Sequence, residues 1–326
     1  MTSQSTHHDR IPFLQAVAEY PILLAEGSII EKLAREGWPQ VRGPAANASL
    51  LFDRDGREAL RDAYREYLEV GRKAGLPLVL LTPTWRANAE RLARAGLPGV
   101  IETNREAVRL LKGIAEDAGE YAKNVYIGGL MGCYGDAYRP EEALSEREAY
   151  GFHREQASAL ANAGVDFLMA ATLPEANEAA GIARAMAETG VPAVPSYVIR
   201  RTGEMLDGTP LVNVVRRIDS VCQPSVAFHM VNCVHPDVFT SAMETQTRIW
   251  PELSSRILGL QANTSPRSPE ELDGLDHVDG DGPDPFTQSM LKAQRNAVLR
   301  ILGGCCGTST AHLSALAEGI TLPRFE

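Results

Sequence analysis

The chain contains no apolar stretch near the roughly 20 residues that a membrane-spanning helix needs. It also lacks a basic excess. Lysines and arginines number 32 against 42 aspartates and glutamates, a formal net charge of −10. Nucleic acids are bound through basic faces, so the charge argues against that class of partner. Residues 1–10 have no apolar core of the kind that marks a secretory signal peptide. Cysteine is scarce: five residues, an odd number, do not resemble the disulfide framework of a secreted domain. These absences lead to the expectation of a cytoplasmic protein, away from membranes, with its thiols reduced and available. No helical face carries a clear interface signal, so the oligomeric state stays open.

What is present is an ordinary globular composition, 44% hydrophobic and 23% charged, over 326 residues. That length suits one (β/α)8 barrel with insertions, a fold of typically ~250 residues. Short apolar runs alternate with amphipathic helical stretches, as repeated βα units require. The runs predict strands over 20–25, 76–81, 125–130, 164–171, 191–198, 226–233, 256–261 and 297–303. A helix is predicted over 57–73, where Leu60, Tyr64, Tyr67 and Leu68 fall at helical spacing. Ser145 with Glu148 is a capping-box signature for a helix running to about Asn162. Eight such units specify a closed TIM barrel, whose functional residues sit just after the strands. An open doubly wound sheet is the alternative. One domain is expected over 1–326, with a flexible N-terminus over 1–12 and a long acidic surface loop over 264–286. That loop carries Glu270, Glu271, Asp273, Asp276, Asp279, Asp281 and Asp284 against Arg267, at a spacing that misses the EF-hand pattern.

The densest chemistry lies in Gly303-Gly304-Cys305-Cys306-Gly307-Thr308. Neighbouring side chains of a strand point to opposite faces, so two adjacent thiols meet only where the backbone leaves the extended form. The flanking glycines give it that freedom. Thr308-Ser309-Thr310 offers an N-cap to a following helix, whose positive end favours thiolates. A third thiol, Cys233, ends the apolar run that starts at Val226. Three thiolates at the carboxyl ends of two strands make a zinc site with a vacant fourth position, as catalytic zinc sites have. A vicinal redox disulfide at Cys305–Cys306 and simple core packing are the competing readings. Cys133 and Cys222 read as core.

With these motifs the chain resembles the homocysteine S-methyltransferase family, zinc-dependent (β/α)8 barrels that move a methyl group onto a thiol. The likeness runs from about Tyr20 to Leu316. It rests on the Gly303–Thr308 segment and on Val231-Asn232-Cys233. Weaker support comes from Thr82-Pro83-Thr84-Trp85-Arg86-Ala87-Asn88, the 128–138 segment, Leu206-Asp207-Gly208 and Gln261-Ala262-Asn263. The resemblance implies that Cys233, Cys305 and Cys306 hold Zn²⁺. It implies that the small-molecule partners are a thiol, homocysteine in the family, and a methyl donor, with methionine as product. Two departures concern the acceptor. Glu26-Gly27 stands where the family has Asp-Gly, and Ala171-Thr172-Leu173-Pro174 lacks the family's glutamate. Both family carboxylates are directed at the amino group of homocysteine. Either Glu26 does the whole task, or the barrel is repurposed for another thiol acceptor or for demethylation; a zinc-binding or redox-sensing protein without catalysis is the reading from a different class.

Three thiolates on Zn²⁺ leave a centre of net charge −1, which suits a cationic donor such as a sulfonium or a quaternary ammonium. Aromatic faces stabilise such cations without competing as nucleophiles. Trp85 and Tyr134 follow predicted strands, Tyr197 stands near the end of one, and all three are candidates, or else pack the barrel mouth. Arg86 has the fork geometry for a substrate carboxylate, or is an ordinary surface residue. Asn232 and Asn263 end strands at the functional rim and are expected to contact substrate. His229 reads as core, His235 as a residue near the metal, and His312 as structural.

Overall fold

The computed structural model describes residues 10–268, 271 and 279–321. Eight strands form: β1 Leu23–Ala25, β2 Leu78–Leu81, β3 Val125–Gly132, β4 Phe167–Leu173, β5 Ala193–Tyr197, β6 His229–Asn232, β7 Ile257–Ala262 and β8 Ile301–Gly304. They are parallel and close in chain order, with β1 paired to both β2 and β8. The closed ring settles the choice against an open sheet. Among the described residues no helix is long and apolar enough to cross a membrane.

Strand alternation divides the core into two layers. Leu23 and Ala25, Val79 and Leu81, Met169 and Ala171, Val194, Met230 and Ile301 fill the lumen. Leu24, Leu78, Leu80, Leu168, Val231, Leu260 and Leu302 face the surrounding helices. The helix Arg54–Ala74 covers more than the predicted range. Asp53 caps its start by accepting the Gly56 N–H at 2.6 Å, and Gly75 ends it at φ +66°. Only glycine takes that conformation without cost. The capping box is present: Glu148 Oε2 accepts the Ser145 N–H at 3.1 Å at the head of Glu146–Ala163.

The strands are displaced from their predicted limits at identifiable places. β1 starts after Pro21, which has no N–H to give a ladder. β4 continues two residues past its predicted end, through a register shift between Ala170 and Leu173. The sequence reading assigned nothing to the short helix Phe13–Glu19. It closes the amino end of the barrel, where Phe13 stacks on Phe167 with ring centroids 4.1 Å apart. Of the N-terminal stretch 1–12, residues 1–9 lie outside the described residues. Arg10 is tied down, donating to Asp166 Oδ2 at 2.6 Å and Val125 O at 2.7 Å. Of the acidic loop 264–286, residues 269–270 and 272–278 lie outside the described residues. Its last part is helix, because Pro283–Asn296 begins there with Phe286 fully buried.

Candidate metal centre

Parity alone would send the three thiols apart. Met230 and, two residues on, Asn232 are on the lumen side of β6, so an extended Cys233 would follow Val231 outward. Instead Cys233 takes φ +59°, with its N–H donating to Gln261 O at 3.0 Å. A non-glycine residue in that region is uncommon, and here the strain turns the sulfur toward β8. Beyond β8, the Cys305 N–H bonds Ala262 O at 2.7 Å and the chain folds back. Thr308 closes this turn, donating to Cys305 O through its N–H at 3.2 Å and its hydroxyl at 2.6 Å. Gly307 sits at φ +79°, and any Cβ on Gly304 would collide with Thr308 Oγ1. The helix Ile29–Arg35 grips the same turn. Glu31 Oε2 accepts the Gly307 N–H at 2.5 Å, and Arg35 donates to Thr308 O at 3.0 Å.

The sulfurs of Cys233, Cys305 and Cys306 lie within 4.8 Å of one another, and Cys233 Sγ is 3.3 Å from Cys306 Sγ. Two thiolates bound to one zinc at ~2.3 Å stand about 3.8 Å apart, so the trio fits with small adjustment. Its electrostatics also call for a cation. Hydrogen bonds from Cys305 and Cys306 hold the Cys233 thiol far below its usual pKa. The same contact with Cys233 pushes Cys305 and Cys306 well above theirs. One charge is thus accommodated and two are not, and a divalent ion at the centre relieves that repulsion.

Asn232 braces the sulfurs from behind. Its Oδ1 accepts from the Thr172 N–H at 2.9 Å and the Ser196 hydroxyl at 2.7 Å. Its Nδ2 donates to Thr172 Oγ1 at 2.7 Å and faces Cys305 Sγ at 4.0 Å. The expected substrate contact is corrected accordingly: the amide's polar groups are already engaged within the protein. Asn263 differs, because its Nδ2 reaches Cys233 O at 3.4 Å while its buried Oδ1 has no partner among the described residues. Glu26 is buried at the end of β1, where Oε2 accepts the Leu81 N–H at 3.0 Å. Burial pushes its carboxyl well above the usual range, against the effect of that hydrogen bond. Beside it, a Cβ on Gly27 would lie 2.7 Å from the Tyr67 hydroxyl, itself buried without a partner among the described residues.

Two further expectations need correction. Tyr197 does not reach the mouth. On β5, Ser196 faces Asn232, so its neighbour Tyr197 points outward into the helical layer. There its hydroxyl meets His229 Nδ1 at 2.6 Å, and His229 Nε2 meets Asp219 Oδ1 at 3.0 Å. Arg86 is not free for a carboxylate. It is buried, donates to Cys133 O at 2.9 Å and Gly135 O at 2.6 Å, and lies 4.1 Å over the Trp85 ring. One face of Trp85 is therefore already covered by a cation, while its Nε1 donates to Ala171 O at 3.3 Å. Tyr134 is half-buried, with its ring edge-on to Phe152 at 5.1 Å. His235 stands outside the sulfur trio, accepting the Asp237 N–H at Nδ1 and meeting Asp281 Oδ2 at 3.1 Å. His312 meets Asp281 O at 3.0 Å and is structural, as expected. Cys133 and Cys222 are buried in the core, also as expected.

The sequence reading missed Tyr138, whose hydroxyl lies 2.8 Å from Cys233 Sγ. Burial first, and then charge on Cys233, raises its pKa well above normal, so the phenol stays protonated and donates. Its signal was its place at the end of the weakly matching segment 128–138. Glu31 was also missed, although Ser28-x-x-Glu31 has capping-box spacing and Ser28 Oγ accepts the Glu31 N–H at 3.3 Å.

Fold and site together define a class: a (β/α)8 enzyme that gathers three cysteines at the carboxyl ends of β6 and β8. The sequence profile described as homocysteine S-methyltransferase matches residues 23–320, and the chain belongs to that family. It is a thiol S-methyltransferase. Its relatives include a homocysteine S-methyltransferase from Escherichia coli K12, 25% identical over 94% of this chain and 97% of that protein. A betaine–homocysteine S-methyltransferase from Bos taurus is 24% identical over 93% of this chain and 73% of that protein. The metallated form of the homocysteine methyltransferase MmuM from Escherichia coli superposes with a TM-score of 0.73. It is 22% identical, covers 93% of this chain and 98% of that one, and supports the fold.

Proposed function

We propose that this protein transfers a methyl group from a cationic donor, a sulfonium or a quaternary ammonium, to homocysteine in a zinc-dependent reaction. The convergence of Cys233, Cys305 and Cys306 carries this reading. Zinc, when bound, neutralises the crowded thiolates and favours ionisation of an acceptor thiol beside them. The chain's own residues do the rest. The three cysteines hold the metal, and Asn232 with Glu31 fixes their backbones. Burial favours the neutral form of Glu26, and an ammonium group beside it favours the charged form. Together with the open Oδ1 of Asn263 it is a contact for the acceptor's amino group. Gly27, where a Cβ would collide with Tyr67 and Thr308, lets the chain beside Glu26 pack closely. Trp85 and Tyr134 lie at the rim and exclude water from the path of the donor.

The transfer balances simply. The acceptor proton leaves to solvent, and the sulfur pair forms the new S–C bond. The donor's bond to its methyl breaks toward the donor, which departs neutral as a thioether or a tertiary amine. Positioning and water exclusion are therefore the main tasks. The test is metal content with a panel of reactions. One zinc per chain is expected, with methionine formed from homocysteine and S-methylmethionine, betaine or S-adenosylmethionine. Full activity in metal-free protein overturns the reading.

A second reading keeps the chemistry and changes the acceptor. Ala171 faces the lumen among Leu81 and Met169, so it brings no carboxylate to the mouth. An acceptor without an ammonium group suits that wall. Faster methylation of such a thiol than of homocysteine favours it. Improved homocysteine use by Ala171→Glu identifies the missing carboxylate as the cause. A cytoplasmic location belongs to the same proposal, since the thiols must stay reduced.

A further inference from the structure

We propose that Tyr138 is an active-site residue of the transfer reaction, standing on the sulfurs where the acceptor thiol arrives, and that Glu178 is the positioning residue that sets it there. This rests on the metal-centred reading above. Tyr138 is 38% exposed, yet its hydroxyl lies 2.8 Å from the buried Cys233 Sγ. Its ring therefore approaches the sulfurs from the solvent side. Behind them stands Asn232, and beside them the Gly307 turn is gripped by Glu31. An incoming thiol comes in on the side that the phenol occupies, and its sulfur takes the place of the hydroxyl.

The phenol is held there by design of the loop after β3. Glu178 is 1% exposed, and its two oxygens span the loop. Oε1 accepts the Tyr134 N–H at 2.6 Å, and Oε2 accepts the Leu144 N–H at 3.3 Å. His153 Nε2 steadies the same carboxylate at 3.0 Å. Inside the loop, Asp136 Oδ1 accepts the Tyr138 N–H at 2.8 Å and Glu142 Oε2 accepts the Asp136 N–H at 2.9 Å. Arg86 and Arg91 both hold Gly135 O, at 2.6 and 3.3 Å. A single buried carboxylate pinning both ends of a loop fixes where its middle lies.

Two measurements test this. In metal-free protein, iodoacetamide labelling of Cys233, Cys305 and Cys306 is followed by mass spectrometry. Tyr138→Ala is expected to label several-fold faster than the parent. Glu178→Gln is expected to accelerate labelling alone, and to add nothing in a Tyr138→Ala background, because it acts through Tyr138. In zinc-loaded protein, release to a pyridylazo-resorcinol chelator is timed. Tyr138→Phe is expected to release zinc several-fold faster. Saturating homocysteine or 2-mercaptoethanol is expected to bring both proteins to one rate, since the thiol has then replaced the hydroxyl. Unchanged labelling of Tyr138→Ala overturns the place of Tyr138. A rate gap that persists under both thiols overturns its displacement, and additive labelling overturns the role of Glu178. A protein that takes up no zinc overturns the metal-centred reading, while the labelling arm still decides on Tyr138.

Discussion

Two acids at opposite ends of this barrel, Asp219 and Glu26, meet burial in opposite ways. At the amino end, acids are paired. Asp166 Oδ2 accepts from Arg10 and from the Ile127 N–H at 2.7 Å. Asp219 is bound by His229 and by two nitrogens of Arg256. Burial works against its ionisation, but these hydrogen bonds prevail and hold its carboxyl at about 2. At the carboxyl end, Glu26 has a single backbone donor, and burial leaves its pKa well raised. There too lie the crowded sulfurs, the strained backbones of Cys233 and Thr172, and Asn263 Oδ1 and the Tyr67 hydroxyl, which have no partner among the described residues. The lesson is thermodynamic: Asp166 and Asp219 are satisfied by folding, whereas Glu26 and the crowded sulfurs have partners to gain. Groups costly to leave unmet are those a metal and substrates satisfy.

Substitutions can break this contrast, and the largest effect is expected at the sulfurs. Cys306→Ser is expected to abolish methyl transfer. It should lower zinc affinity by more than the ~10–100-fold typical of losing an outer partner, read by metal competition. The melting temperature of metal-free protein should scarcely move. At the opposite end, Phe13→Ala removes a ring stacked on Phe167 and should cost about 3–5 kcal/mol in urea unfolding. Zinc affinity of the folded molecules should stay the same. If either change spills into the other readout, the division between the ends fails.

Asn232→Ala sits between these cases. It leaves the Ser196 hydroxyl and Thr172 N–H unmet, at about 1–3 kcal/mol for each group, and should also weaken zinc by roughly 10–100-fold. Calorimetry and metal competition on one sample separate the two losses. The smallest effects are expected from pH. Asp219 has a depressed folded pKa, so its stabilisation is present above about pH 4 and is lost as pH falls toward 2. Asp219→Asn should remove that acid-side slope, worth about 1–2 kcal/mol once solvent screening is allowed for. Glu26 carries the opposite sign. Its folded pKa is raised, so metal-free protein loses stability as pH climbs past 4.5, where the unfolded carboxyl ionises. Glu26→Gln should therefore stabilise metal-free protein at pH 8 and not at pH 4, by thermal melts.

Much of the fold was legible because each strand is a short apolar run, and all eight overlap their predicted runs. The helix Phe13–Glu19 was not, since seven residues with no capping side chain carry little local signal. The thiol cluster was legible in residue types, because glycines around adjacent cysteines let the chain turn both sulfurs to one side. Substrate residues were read less well. Tyr197 was assigned to the mouth by its place at a strand end, but the two-residue period turns it outward. Arg86 and Asn232 have suitable groups, yet each is occupied by neighbours distant in the chain: the 133–135 turn in one case, Thr172 and Ser196 in the other. Tyr138 lies 95 positions from its sulfur partner, and no local pattern links them.

Amino-acid order alone settles the βα alternation, the strand ends that carry chemistry, and the glycines that let two adjacent thiols turn, because these depend on periodicity and local backbone freedom. Only the closed barrel decides which polar groups are left over. Whether Asn263 is open and Asn232 taken, or Glu26 lone and Asp219 paired, follows from contacts between strands and helices remote in sequence. Desolvation and hydrogen bonding at such contacts are properties of the packed molecule, and they determine where this enzyme has room for ligands.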